Sequence, residues 1–196
     1  MDAIAAILAG GRSTRMGRPK PGVPLAGRPL IAYPIAAARS VEVEPWVVAK
    51  EGTELPRLDC RVLAEPDEPL HPLAGLVAAL REAGDRPVVA IAADMPFVED
   101  KLIAWLASHD STTVVEALGC VQPLLARYDG GDIPPLEAAL GRGASATEAA
   151  LALEPKLVPE IDLRRFGEPD RLLFNVNTEA DLARAEEILA ALAARP

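Results

Sequence analysis

Cysteine is nearly absent from this chain of 196 residues, with only Cys60 and Cys120 present. Two cysteines so far apart exclude a disulfide framework and a cysteine-built zinc site. No apolar run approaches the roughly 18–20 residues that a membrane-spanning helix requires, so no membrane segment is expected. Met1-Asp2-Ala3-Ile4 lacks a basic stretch ahead of its apolar residues, so no signal peptide is expected and the cytoplasm is the expected compartment. Nucleic acid is not an expected partner, because the net charge is −9 and phosphate-backbone binding needs clustered Lys and Arg. The apolar share of 50% and charged share of 25% match a folded domain and argue against disorder. The length, the scattered prolines and the absence of an internal repeat predict a single domain over 1–196.

Another absence is local. No acidic residue lies between Asp2 and Glu42, while Arg12, Arg15, Arg18, Lys20, Arg28 and Arg39 give that stretch +6 and leave −9 − 6 = −15 for the rest. Such a reversal suits either a site for a small polyanion or a solvated basic loop. Amides are scarcer still: Asn175, Asn177 and Gln122 are the only Asn and Gln residues.

What is present reads as alternating strands and helices. Ile4–Ala9 is a buried strand stopped by Gly10-Gly11, and loop residues run on to about Pro29. Leu30–Ala38 is expected to be a helix made irregular by Pro34. Trp46–Ala49 and Arg61–Leu63 are short strands, Leu73–Ala83 a helix ended by Gly84, and Val88–Ala93 a central strand covered on both faces. Pro96 suits the first turn of a helix running through Trp105. Further on, Thr112–Glu116 and Leu124–Arg127 are expected strands, and Pro134–Leu140 and Ser145–Leu153 expected helices. Thr178 with Asp181 forms a capping box that opens the last helix. The alternation argues for βαβ units and a parallel sheet.

The segment Leu8-Ala9-Gly10-Gly11-Arg12-Ser13-Thr14-Arg15-Met16-Gly17-Arg18-Pro19-Lys20 follows the first strand, where an open α/β sheet places ligands. It is neither a Walker loop nor the Rossmann fingerprint, since the terminal Gly-Lys-Ser/Thr and the glycine spacing are both missing. Its glycines still allow N–H groups to converge on phosphate, and its arginines and lysine supply donors. Because Arg outnumbers Lys by 16 to 4, Lys20 is either an ordinary exposed lysine or one that meets a specific need. Asp94, directly after the most apolar strand, is suited either to Mg²⁺ or to capping the helix that follows. The two asparagines could serve a ligand or satisfy loop backbone. His71 and His109 form no triad or metal set with the cysteines; His109 reads as a helix-end cap.

That glycine-basic segment, followed by Val23-Pro24-Leu25-Ala26-Gly27-Arg28-Pro29-Leu30, resembles the signature of the nucleotidyltransferases. His71-Pro72-Leu73-Ala74-Gly75, Asp94-Met95-Pro96-Phe97, Gln122-Pro123-Leu124 and Phe174-Asn175-Val176-Asn177-Thr178 extend the likeness from about Ile4 to Ala185, and the whole is similar to the molybdenum cofactor guanylyltransferases. The resemblance implies an α/β, three-layer Rossmann-like fold, mostly parallel with one reversed strand and helices on both faces. It implies Mg²⁺-dependent transfer of GMP from GTP to molybdopterin or its molybdenum-loaded form, with pyrophosphate released. Molybdenum-insertion and molybdoenzyme maturation proteins are the partners it suggests. By the same resemblance, Gly10, Gly11 and Arg15 hold the triphosphate, Lys20 the α-phosphate and Asp94 the Mg²⁺. Leu8 and Ala9 border the base, and Asn175 and Asn177 contact substrate, with Asn177 on the acceptor or metal-water side. The acid on the nucleotide side is Glu65 or Asp67. His71 stands where the guanine type has Gly, and Pro19 before Lys20 follows the cytosine type, whereas Gly10-Gly11 follows the guanine type. CTP, a sugar-phosphate acceptor, or nucleotide binding without turnover are the alternatives.

Overall fold

The computed structural model describes residues 2–10 and 20–194. Its elements in chain order begin with β1 (Ile4–Leu8), β2 (Pro24–Leu25), β3 (Arg28–Pro29), α1 (Ala32–Ser40), β4 (Glu44–Lys50), β5 (Arg61–Glu65), α2 (Pro72–Ala83) and β6 (Val88–Ala92). They continue with α3 (Asp100–Ala107), β7 (Thr113–Ala117), β8 (Cys120–Tyr128), α4 (Ile133–Gly141), α5 (Ala146–Leu151), β9 (Lys156–Pro159), α6 (Glu160–Leu163), α7 (Pro169–Leu172) and α8 (Glu179–Ala193).

Seven strands form one sheet in the order β5-β4-β1-β6-β8-β7-β9. β1 and β6 pair in parallel at its centre and are nearly devoid of solvent contact, which is why both read as unbroken apolar runs. Their alternation builds a core on each face. Ile4, Ala6, Val88 and Ala90 pack towards α2 and α4, while Ala3, Ala5, Val89 and Ile91 pack towards α3. The result is helices on both faces of a mostly parallel sheet. β8 is the one reversed strand, antiparallel to both β6 and β7. The reversal follows from the β7–β8 link, which is only Leu118-Gly119, both at positive φ. Two residues in left-handed backbone make a tight hairpin turn, and a parallel return would need a dozen residues or more.

Several expectations are corrected. The helix expected to open at Pro96 begins at Asp100 with Glu99 as its N-cap, so Pro96 lies in the preceding turn. Pro34 does not distort α1, because it lies in the first turn, where its missing N–H has no intrahelical acceptor to lose. Residues 24–29, expected as loop, form the β2–β3 ribbon, and β9, α6 and α7 were not anticipated. The capping box of Thr178 and Asp181 is present, as is one between Ser145 and Glu148. Among the described residues no helix is long and apolar enough to cross a membrane.

Candidate active site

The carboxyl ends of β1 and β6 open onto a cavity of about 370 Å³. Leu8, Ala9 and Gly10 line it from one strand and Ala92, Ala93 and Asp94 from the other, with Leu70, Pro72 and Leu124 adding apolar wall. Position follows from topology: parallel strands deliver their loops to the same edge of the sheet.

Lys20 reaches into this cavity from the 3₁₀ turn Lys20–Gly22. Its Nζ donates to Asp94 Oδ2 at 3.1 Å and to Asn177 Oδ1 at 2.6 Å, joining residues 74 and 157 positions apart. The loop carrying Asn177 is docked by the backbone, since Val176 N–H donates to the Asp94 carbonyl at 2.9 Å. Asn177 N–H and Thr178 N–H both donate to Asp181 Oδ2, so the cap of α8 also fixes the residue that holds Lys20. Asp94 stands six positions before α3 and caps no helix, which removes the structural alternative for it. Lys20 is likewise no ordinary exposed lysine.

A second charged pair lies beside the apolar wall. Glu65, the last residue of β5, is only 8% exposed and lines the cavity, whereas Asp67 is exposed on the loop beyond it. Lys50 is its register partner on β4, with Nζ 3.7 Å from Glu65 Oε1. Burial pushes the Glu65 carboxyl above the usual carboxylate range, and the Lys50 charge opposes that shift. The carboxylate sits between two glycines: a methyl on Gly10 would overlap Oε1, and one on Gly75 would overlap Oε2. A side chain at Gly10 would therefore have to displace the Glu65 carboxylate, a neighbour that its own loop does not reveal. Gly10→Ala should cost about 1–3 kcal/mol of stability, the usual range for overpacking. That cost should vanish in a Glu65→Ala background, and chemical unfolding of the four proteins of the cycle measures it. An equal cost in both backgrounds would show that the clash is not with Glu65.

The other expected residues divide. Asn175 donates through Nδ2 to the Leu173 carbonyl at 2.9 Å and lines a neighbouring cavity with Gln122 and Thr147, not the one holding Lys20. His71 lines the main cavity and caps α2, its Nδ1 accepting from Leu73 N–H at 3.2 Å. His109 bonds the Trp105 carbonyl through Nδ1 at 2.9 Å, at the end of α3. Gly11 and Arg15, like Arg12 and Arg18, lie outside the described residues. Of the basic stretch, Arg28 lies over the Tyr33 ring and Arg39 pairs with Asp59, so Lys20 alone among its described cations lines the cavity. Sequence reasoning missed Lys50, although the scarcity of lysine that singles out Lys20 applies equally to it.

Among the described residues no three His, Cys, Asp or Glu side chains cluster to hold a metal. Around the Lys20 ammonium stand the Asp94 carboxylate and the Asn177 amide oxygen. Comparison with known proteins gives this arrangement its context. The chain is similar to a molybdenum cofactor guanylyltransferase of Rhodobacter capsulatus, 32% identical over 194 residues, covering 93% of this chain and 94% of that one. A probable molybdenum cofactor guanylyltransferase of Pelotomaculum thermopropionicum is 31% identical, with 94% and 92% covered. The crystal structure of molybdopterin-guanine dinucleotide biosynthesis protein A from Archaeoglobus fulgidus superposes with a TM-score of 0.78 at 28% identity, covering 95% of this chain and 98% of that one. A family model described as the MobA-like NTP transferase domain matches residues 5–154, and the chain belongs to that family of nucleotidyltransferases.

Proposed function

We propose that this chain transfers GMP from GTP to the terminal phosphate of molybdopterin or its molybdenum-loaded form, acting as a single domain over 1–196 in the cytoplasm. The observation that carries this reading is the Lys20–Asp94–Asn177 cluster at an apolar cavity of base-accepting size, in a chain whose relatives are named for that reaction. Molybdenum-insertion and molybdoenzyme maturation proteins are the partners that the reading brings with it.

In the reaction a phosphate oxygen of the acceptor attacks the α-phosphorus of GTP. A new P–O bond forms, the bond to the β-phosphate oxygen breaks, and pyrophosphate leaves. A phosphate monoester is already anionic at neutral pH, so no general base is needed. The task of the protein is to bring two anions together and stabilise the charge that moves between them. Lys20 is placed to donate to the α-phosphate, exchanging Asp94 and Asn177 for phosphate oxygens. Arg15 and the N–H groups of Gly10 and Gly11 are assigned to the triphosphate, and Leu8 and Ala9 to the border of the base.

The donor set suits Mg²⁺, a hard cation often held by one or two carboxylates together with substrate phosphates. Asp94 would supply the carboxylate, and its Oδ2 beside Asn177 Oδ1 already attracts a cation, the Lys20 ammonium. Bound there, Mg²⁺ would neutralise phosphate charge. Asn175 is assigned to the acceptor side, from the neighbouring cavity that shares Ala92 and Leu124 with the first.

The test is a matrix of the four nucleoside triphosphates against molybdopterin and common sugar phosphates, scored by pyrophosphate. Release only with GTP and molybdopterin is the expected result. Release with CTP or with a sugar phosphate would move the chain to another branch of the family, and no release with any pair would make it a binder.

A further inference from the structure

β8 runs out of step with β7. Val114 and Val115 are neighbours on β7, yet they pair with Ala126 and Gln122 of β8, so the residues between those two have no partner on that side. Leu125 is still paired from the other side, with Ile91 of β6. Pro123 and Leu124 therefore stand outside both ladders, in a bulge where a proline costs the sheet no hydrogen bond. The bulge lies at the candidate site. Leu124 lines both cavities, while Gln122 and Pro123 line the neighbouring one. With Ala92 of β6, Leu124 forms the wall that the two cavities share.

This wall is gripped from inside the core. Tyr128, at the end of the same strand, is fully buried in the cluster beneath α2 and α4, and its hydroxyl donates to the Pro123 carbonyl at 2.9 Å. Five residues of extended strand span roughly 16 Å, well beyond the reach of a tyrosine side chain. The bond therefore exists because the bulge folds back along β8. A carbonyl taken out of a ladder needs another donor, and the phenol supplies one. Burial pushes the Tyr128 phenol up, so it keeps its proton and remains a donor. A phenylalanine would fill the same space. What tyrosine adds is the grip on the bulge.

We propose that Tyr128 is a positioning residue for the transfer reaction: by holding Pro123 it fixes the wall between the two cavities, and with it the placing of the acceptor against the nucleotide. The inference rests on the reading that the main cavity takes GTP and the neighbouring one the acceptor. Attack on phosphorus requires the reacting atoms to be held about 3–3.5 Å apart, and a misplacement of about 1 Å can cost about 10² in rate. Backbone outside both ladders has no strand pairing to hold it to that tolerance, and the Tyr128 hydroxyl takes the place of that pairing. A loosened wall is felt first by the acceptor. Leu124 is one of several apolar residues around the nucleotide, whereas Gln122, Pro123 and Leu124 together line the acceptor side.

Steady-state transfer from GTP to molybdopterin in the presence of Mg²⁺, scored by pyrophosphate, tests the proposal in Tyr128→Phe, Tyr33→Phe and Leu124→Ala beside the wild type. Tyr33 is the other tyrosine of the chain, and its hydroxyl donates to the Leu25 carbonyl at 2.7 Å, away from the residues that line the two cavities. Tyr128→Phe should raise the KM for molybdopterin about tenfold and lower kcat about tenfold, while the KM for GTP stays within about twofold. Tyr33→Phe loses a bond of the same kind and should leave all three within about twofold. Leu124→Ala thins the wall without touching Tyr128, and should raise the KM for molybdopterin about fivefold. A merely structural tyrosine lowers the melting temperature and the active fraction, hence the apparent kcat, and leaves the KM for molybdopterin where it was. That result overturns the inference, as does a Tyr128→Phe chain that fails to fold or an equal rise in KM for the two tyrosine variants. Wild-type kinetics in Leu124→Ala would remove the wall itself from the reaction. In each of these cases the wild type still transfers, and the functional reading stands. No transfer by the wild type overturns both.

Discussion

Asp94→Ala should lower the rate of pyrophosphate release by about 10²–10³ while leaving the folded structure intact. That is the usual consequence of removing one group that stabilises charge on a transferring centre. The expectation of an intact fold is specific to this structure. Asp94 caps no helix, α3 being opened by Glu99 five residues on, so the loss of about 1 kcal/mol that accompanies a lost N-cap does not apply. Its ion pair with Lys20 is partly exposed, with side chains 22% and 20% accessible, and pairs near solvent contribute about 1 kcal/mol or less. Turnover at saturating GTP and Mg²⁺, read beside a thermal melt, separates the two effects. Near-normal turnover would remove Asp94 from the chemistry, and a collapsed melt with normal turnover of the surviving fraction would make it structural.

Lys20→Ala should be of similar size, about 10² or more in rate, whereas Arg39→Ala should leave both rate and GTP affinity within about twofold. Both residues belong to the same basic stretch, which makes the contrast informative. Lys20 lies within the cavity and bridges two loops, while Arg39 is spent on Asp59 at the surface, where it bonds both the carboxylate and the carbonyl of that residue. If the stretch acted only as a diffuse field, each lost charge would weaken the nucleotide equally, and the loss would shrink alike with added salt. Equal effects in a GTP titration would therefore sink the specific site. A large difference fixes the cation by position rather than by net charge.

The parts of this molecule legible in its sequence are those whose cause is local. β1 and β6 could be read because a strand buried on both faces must be apolar at every position, and Asp94 stood out as the first charge after such a run. The capping box of α8 was legible because its two partners lie three residues apart. Pro96 misled because proline suits a turn as well as a first helical position, and here the turn runs on to Glu99. β9, α6 and α7 have only four residues each, too few for any periodicity to declare itself. The Lys50–Glu65 pair was out of reach for another reason. It exists through the register of β4 against β5, and residues 15 positions apart carry no local mark of being neighbours. Glu65 itself was found only as one of two candidates by resemblance, and the crowding at Gly10 came to light only once Glu65 was seen against it.

The span between Lys20 and Asn177 has a consequence for synthesis. A ribosome makes the chain from the amino end at roughly 5–20 residues per second, so the lysine emerges long before the amide that grips it. A nascent chain that has just finished β9 already owns all seven strands of the large sheet. It still lacks Asn177, and Val23, Leu25 and Leu30, which pack just beyond Lys20, have yet to meet Val176, Leu182 and Ala185. All strands of the sheet are thus synthesised before the site can be completed, and completion waits for the residues that follow β9. A product interrupted after β9 would hold every strand of the sheet yet lack both Asn177 and the core residues Leu163, Leu172 and Leu173.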